Sequence, residues 1–340
     1  MNPRTLEPSN PLSVAQRIHT AFDGRQGSQD LSSQCLDLIS EQKESWSKLK
    51  DAYRILKTLK TRALLVNGFS VLLYHNPGRL TSATTAVGQK DIKDRPCFLC
   101  LHNLPHQQKG ILYRKEYIIL CNPMPVFPSH LTVAHVTHQP QAISDNFDAF
   151  LALMADLGEG WVTLYNGPRC GASAPDHLHF QALPVGRLPI EQELRQGTKL
   201  SLAAQIGSVS IYTANEIGRE VIVLKGDDRA SMVNVFAEVL ACLREVAPTG
   251  DEPMMNAAGF YETGSWHVAL FPRRKHRPDA FFREGDERIV VSPGAVEMAG
   301  ILVTPLERDF EGLDATAVEA IYREVSLDGS ILAEVLGAIR

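Results

Sequence analysis

YNGPRCGASAPDHLHFQALP, residues 165–184, joins a run of small residues to a segment in which polar and apolar side chains alternate. Residues two apart in a strand share a face, so His177, His179 and Gln181 are expected to stand in one row. A His-x-His pair also occurs in ordinary strands as a satisfied core or surface feature, and the loop before it is what sets this one apart. Around Gly171, Ala172 and Ser173 the side chains are small enough for backbone N–H groups to approach an anion, and Ser173 adds a hydroxyl donor. An imidazole with its ordinary pKa near ~6.5 is mostly neutral at pH 7 and can attack phosphorus when its other nitrogen is held by a hydrogen bond. The stretch predicts a covalent histidine–phosphorus adduct.

Working outward, WVTLYN (161–166) and HLHFQALP (177–184) read as strands, as do ILYRKEYIILCN (111–122) and HLTVAHV (130–136), with a helix in DNFDAFLALMADLGEG (145–160). TRALLVNGFSVLLYH (61–75) has two apolar runs about Asn67-Gly68, the dipeptide of a tight hairpin, and starts a sheet. Downstream the signals recur in similar order. SVSIYTA (208–214) and EVIVLKG (220–226) are strands, 229–246 is a helix, and MMNAAGFYE (254–262), SWHVALFPR (265–273) and ERIVVSP (287–293) are strands. Residues 30–60 carry helix-spaced apolar groups and read as one amphipathic segment. The expected architecture is α+β, with two related halves of antiparallel sheet packed by helices. An N-terminal helical segment spans 1–62, the halves 63–188 and 189–312, and C-terminal helices 313–340, with Gly/Pro-rich breaks near 184–189 and 248–253.

The 340 residues are 44% hydrophobic, enough for a full core, and the net charge of −5 removes the general positive field of a duplex-DNA binder. Nucleic acid is not an expected partner, and any anion site must be local. MNPRTLEPSNPL at the start has no apolar core of a leader, and no run approaches the ~18 apolar residues of a membrane span, so a soluble, cytoplasmic protein without membrane association is expected.

Six cysteines in so long a chain suit a reduced compartment with one metal or redox site rather than a disulfide framework. Cys97 and Cys100 have a spacing that can reach one zinc ion, and His130, His135, His138 and His177 are candidates for the two remaining ligands. Redox chemistry or simple burial are the alternatives, the former weakened by the lack of a thioredoxin-like βαβ pattern. The basic run Arg273-Arg-Lys275-His-Arg277 follows an apolar strand; it is either a solvated face or a set of phosphate contacts. Arg79, after a Pro-Gly turn, is a further cationic candidate.

CNPMPVFPSHLTVAHVTHQPQ (121–141) followed by YNGPRCGASAPDHLHFQ resembles the histidine-triad superfamily. The similar branch is the one containing galactose-1-phosphate uridylyltransferase, diadenosine tetraphosphate phosphorylase and the GDP-hexose phosphorylases. The interval from His130 to His138 matches one family motif, and His-x-His-x-Gln with its Gly-x-Ser-x-Pro approach matches the active-site strand. With PCFLC (96–100) and SPGAVEMAGILVTP (292–305), the similarity covers roughly 63–305.

The resemblance implies an HIT-like fold and a nucleotidylyltransferase of phosphorylase type. His179 would be the nucleophile, Gln181 would take the position where hydrolase members have a third histidine, and Ser173, Gly171 and Ala172 would hold the α-phosphate. Asn166 would touch the nucleotide, with Arg79, Arg273, Lys275 and Arg277 as further substrate contacts. Cys97, Cys100, His138 and His177 would hold a structural zinc. The substrate would be a dinucleoside polyphosphate or a nucleoside-diphosphate sugar, with phosphate or a sugar phosphate as acceptor, in a monomer or homodimer. A hydrolase and a non-catalytic nucleotide-binding protein are the alternatives. Asp176 is extra relative to the Ser-x-Pro-His-x-His wording of the uridylyltransferases. HLHFQA is closer to the GDP-hexose enzymes and SWHVALFPRRKHRP (265–278) to the diadenosine tetraphosphate ones, so base and leaving group stay open.

Overall fold

The computed structural model describes residues 15–24, 30–80, 84, 95–214, 216–248, 250 and 252–339. The start of the chain, on which the leader reading falls, lies outside the described residues.

Ten of the described strands fall into two sets with one layout. The first set is β4 (Gly110–Tyr113), β5 (Tyr117–Cys121), β6 (Leu131–His135), β7 (Trp161–Asn166) and β8 (His179–Pro184). The second is β9 (Leu200–Ile206), β10 (Val209–Ala214), β11 (Ile222–Gly226), β12 (Met255–Glu262) and β13 (Ser265–Pro272). Each has a helix before its fourth strand, α3 (Phe147–Leu157) and α5 (Arg229–Val246). With β1 (Ile18–Phe22) at one edge, the sheet order is β1-β4-β5-β6-β8-β7-β12-β13-β11-β10-β9. Read inward from either end of the ten, the connectivity is the same, and the halves meet where β7 pairs antiparallel with β12.

The alternation of buried residues shows what covers the sheet. Along β13, Trp266, Val268 and Leu270 enter one core, while Ala269 and Phe271 enter the other. The first core lies under α1 (Leu31–Ser45), α3, α5 and α9 (Gly329–Ala338). The second lies under a separate sheet, β14-β3-β2, in which β2 (Lys60–Val66) and β3 (Phe69–His75) form a hairpin and β14 (Ile301–Thr304) pairs parallel with β3. The helices α4 (Pro189–Gln196), α6 (Ala295–Met298), α7 (Glu307–Gly312) and α8 (Ala315–Val325) complete that layer. Strands buried on both faces need apolar residues at nearly every position, which is why WVTLYN and EVIVLKG read as continuous runs.

Several expectations change. The Asn67-Gly68 turn forms as read, with φ of 49° and 77°, but its hairpin belongs to the small sheet and not to the main one. The helix over 30–60 is broken at Trp46, whose extended backbone (φ −121°, ψ 101°) puts the indole in the core and lets α2 (Ser47–Leu56) start anew. ILYRKEYIILCN is two strands, because Arg114 and Lys115 take left-handed φ without the glycine that advertises a turn. ERIVVSP is not a strand; it follows a short 3-10 turn as irregular chain, and Val290 N is bonded by the Asp309 carboxylate instead of a ladder. Among the described residues no helix is long and apolar enough to cross a membrane.

Candidate functional site

β8 begins at His179, so His177 lies in the turn before the strand and the expected row of three is a row of two. Phe180 and Ala182 enter the helix-covered core, and His179 and Gln181 face the other way, into a cavity of about 380 Å³ between the main sheet and β14. The same cavity is lined by Asn166, Gly171, Ser173 and Arg79.

His179 is nearly enclosed, at 4% exposure. Its Nδ1 lies 2.8 Å from the His177 carbonyl, which can only accept, so the proton sits on Nδ1 and Nε2 keeps its lone pair. Burial pulls the ring below the ordinary histidine range, partly offset by that hydrogen bond, which keeps it neutral at pH 7. Its backbone is also held. The β7–β8 ladder stops at the pair Leu164–Gln181, leaving His179 without a strand neighbour on that side. The side chain of Gln141, 1% exposed, substitutes for one. Its Oε1 accepts from His179 N (2.7 Å) and its Nε2 donates to His179 O (3.0 Å) and Asn166 O (2.8 Å).

Gln181 is oriented by a residue that the sequence offered as a metal ligand. The His130 Nδ1 accepts from Val126 N (3.2 Å), so its Nε2 carries the proton and donates to the Gln181 Oε1 at 2.7 Å. The Gln181 amide N–H groups are then what it has to offer the cavity. Burial pushes His130 down to about 4, consistent with this neutral role.

The cradle is built by close approach. Gly171 has φ +95°, and a Cβ there would stand 2.8 Å from Gly294 Cα, so only glycine lets the loop rest on the second half's Pro293-Gly294 turn. Arg95 Nη2 donates to Ser173 O at 2.6 Å and fixes the loop from the other side. Asn166 Oδ1 accepts from Ala295 N (2.6 Å) and Asn256 Nδ2 (2.9 Å). Ala172 is buried beneath the loop and does not line the cavity. Arg79, whose Nη1 donates to Met124 O at 3.1 Å, lines it together with Glu297.

The basic run lies elsewhere. Arg273 is 1% exposed, and its guanidinium donates to the carbonyls of Val325, Pro293, Lys275 and His276 and to Asn256 Oδ1. Lys275 pairs on the surface with Asp279 (2.8 Å) and Glu324 (2.7 Å). Arg277 donates to Ser292 Oγ and lies over the Phe281 ring. None of the three lines the cavity.

Behind the cradle, one donor atom each from Cys97, Cys100, His138 and His177 lie within 4.8 Å of one another. The sulfur-to-nitrogen separations are 3.3 Å (Cys97–His177), 3.2 Å (Cys100–His138) and 3.6 Å (Cys100–His177), against about 3.5 Å for the edge of a tetrahedron with zinc-like bond lengths. His177 Nε2 donates to His135 O at 2.7 Å, which leaves Nδ1 for the centre. His138 turns Nδ1 to Cys100 and Nε2 toward the Asp176 carboxylate, 3.5 Å away, which gives the extra residue of this chain a place. Without a cation, burial raises both thiols, Cys100 to about 12. The four donors fit a metal ion, and His130 and His135 are not among them.

His130, Arg95 and Glu297, which line the cavity, and Gln141, which braces the His179 backbone, were not read from the sequence in these roles. His130 and Gln141 stood inside the quoted 121–141 motif, and only their contacts reveal their work.

A family model described as a domain of unknown function, DUF4922, matches residues 38–184. No curated protein matches the sequence. The structure is similar to yeast Ap4A phosphorylase Apa2 at a TM-score of 0.58 and 15% identity, covering 88% of this chain and 95% of that one. It is similar to the same enzyme in complex with AMP (TM-score 0.58, 15% identity, 88% and 96% covered) and with Ap4A (0.57, 16%, 87% and 97%). The chain therefore has the fold of that phosphorylase, and the histidine-triad resemblance holds at the level of fold.

Proposed function

We propose that the protein is a nucleotidylyltransferase of the phosphorylase type, acting on a dinucleoside polyphosphate or a nucleoside-diphosphate sugar. The observation that carries this is His179, whose Nδ1 is held by the His177 carbonyl and whose ring lines a cavity lined also by Gly171, Ser173 and Gln181. The Nε2 lone pair attacks the α-phosphorus, the bond to the bridging oxygen breaks, and the leaving phosphate departs with that electron pair. Nδ1–H stays on the His177 carbonyl, which shares the positive charge of the adduct. An oxygen of inorganic phosphate or a sugar phosphate then attacks the same phosphorus and the histidine nitrogen leaves with its pair, so kinetics are ping-pong. The rate gain comes from positioning and from donors fixed before charge develops, the amides of the loop and of Gln181. The likeness in fold to a phosphorylase seen with AMP and Ap4A supports this reading.

The Cys97, Cys100, His138 and His177 centre suits zinc by donor type and spacing. A bound zinc would supply cross-linking: the side chain of His177 would be fixed at the centre while its carbonyl holds His179. It does not line the cavity, so its part is structural.

The test is intact-mass measurement at mildly alkaline pH after incubation with dinucleoside polyphosphates and nucleotide sugars. A gain of one nucleoside monophosphate, absent in His179→Ala and discharged by phosphate, is expected. Ligand binding without an adduct or product across the panel overturns the proposal in favour of a binding protein, and release of nucleoside monophosphate without acceptor in favour of a hydrolase.

A further inference from the structure

Gln141, which braces the His179 backbone, stands in irregular chain between β6 and α3, where no ladder holds the main chain. On its N-terminal side the Gln139 carbonyl accepts from Leu178 N at 2.8 Å, and its own amide reaches the Pro175 carbonyl only at 3.4 Å. On its C-terminal side the anchor comes from the other half of the sheet. Glu252, 7% exposed in the connection from α5 to β12, accepts on Oε2 from Ile143 N (2.7 Å) and Ser144 N (3.2 Å). Its Oε1 accepts from the Tyr165 hydroxyl at 2.5 Å. Tyr165 is fully buried on β7, and the next residue is Asn166, whose carbonyl accepts from the Gln141 side chain.

Satisfying a stray amide does not need a charge. A buried carboxylate carries a desolvation cost that a neutral acceptor avoids. Burial accordingly pushes the Glu252 carboxyl above the usual carboxylate range, against the pull of its three donors. What a carboxylate has, and a neutral amide or hydroxyl lacks, is two acceptor oxygens and charge-assisted bonds. Here one oxygen holds the segment that carries Gln141, and the other holds the strand to which the Gln141 amide is tied.

We infer that Glu252 is a positioning residue, holding Gln141 against His179 from the opposite half of the sheet. This deepens the proposed function, and it rests on that reading for what His179 does.

The brace can be read without turnover by hydrogen exchange at His179 N, which donates to Gln141 Oε1. Glu252→Gln keeps the size but offers one acceptor oxygen in place of two. It should speed exchange at His179 about tenfold or more, while amides of the β10–β11 ladder exchange as before. That ladder separates local loosening from a fall in global stability. In kinetics the variant should lower kcat about tenfold with the Kd for nucleoside monophosphate unchanged. Added to Gln141→Leu it should cost little further kcat, because both act through one link. Tyr165→Phe, which removes a single hydroxyl, should give a smaller change in the same direction and carries the test should Glu252→Gln fail to fold. Wild-type exchange at His179 in both variants, or a rise only in step with the β10–β11 amides, overturns the inference. So do kcat losses that add to that of Gln141→Leu, and faster exchange with kcat unchanged in an enzyme that turns over. Faster exchange at His179 in a protein whose wild type forms no adduct with any substrate keeps the brace and overturns the catalytic proposal alone.

Discussion

β8 and β13 occupy matching places in the two halves of the sheet, and they differ in what lies over one face. On β8 that face carries His179 and Gln181 and looks into a cavity. On β13 the corresponding side carries Ala269 and Phe271, packed into the core beneath the small sheet and α8. The run after β13 is absorbed in the same way, since Arg273 ties the carbonyls of four residues together from inside the protein. One layout thus gives a site in one half and a structural floor in the other. The strand order does not make a site; the layer above it leaves room or fills it.

The sharpest way to break this comparison is to cut one histidine from each half. His179→Ala should reduce turnover by at least about a thousandfold. His267→Ala, on β13 and stacked against Phe260, should leave kcat within about twofold. Comparable losses from both would sink the contrast. Next in size is Arg273→Met, which strands buried carbonyls and Asn256; a loss of about 3–5 kcal/mol in urea unfolding is expected. Lys275→Ala, two residues on but ion-paired at the surface, should leave the urea midpoint and kcat/KM where they were.

Two predictions sharpen the account of how His179 is held. Removal of metal by a chelator, or Cys100→Ser, should lower Tm and cut kcat by about 10–100-fold, because His177 loses its anchor and with it the fixed carbonyl. One metal ion per chain, measured by mass spectrometry of the native protein, should disappear in parallel; full occupancy in a Cys97/Cys100 double mutant would remove the centre from the argument. Gln141→Leu keeps the volume but not the amide, and should lower kcat about tenfold or more while the Kd for nucleoside monophosphate stays put; Gln141→Glu, which can still accept from His179 N, should recover part of the loss. A rise in Kd with unchanged kcat would assign Gln141 to binding instead.

The smallest effect concerns pH and falls on both halves. His130 and His276 are each pushed down to about 4, mainly by burial, and for His276 also by Arg277 and Arg273. The unfolded chain takes up protons at these positions as pH falls below about 6.5, while the folded protein does not until about 4. Stability should therefore be full above pH 6.5 and decline as the pH drops across that window. Urea midpoints at pH 7.5 and 5 should show the decline, and His130→Gln and His276→Gln should each make it shallower.

Much of this was legible in order and spacing. The elements 147–157, 161–166 and 229–246 follow from periodicity, and the Asn67-Gly68 hairpin from its dipeptide. The close set of Cys97, Cys100, His138 and His177 came from the family resemblance, since spacing alone left four histidines open. What failed did so for identifiable reasons. ERIVVSP has strand composition, but its amides go to local carbonyls and, at Val290, to the Asp309 carboxylate in place of a ladder, and Arg114-Lys115 turns without a turn residue. Arg273 in a basic run looks like a phosphate contact until its donors are counted against the carbonyls around it.

The sequence by itself determined that the chain builds twice on one α+β plan and that a small-residue loop precedes His179 and Gln181, because periodicity and residue size act locally. Only the tertiary structure decided that β8 begins at His179 and leaves His177 out of the row, that Gln141 replaces a missing strand, and that His130 sets the Gln181 amide. Hydrogen bonds between residues as far apart as 38 and 51 positions depend on which strands lie side by side, and that is fixed by the packing of the whole sheet.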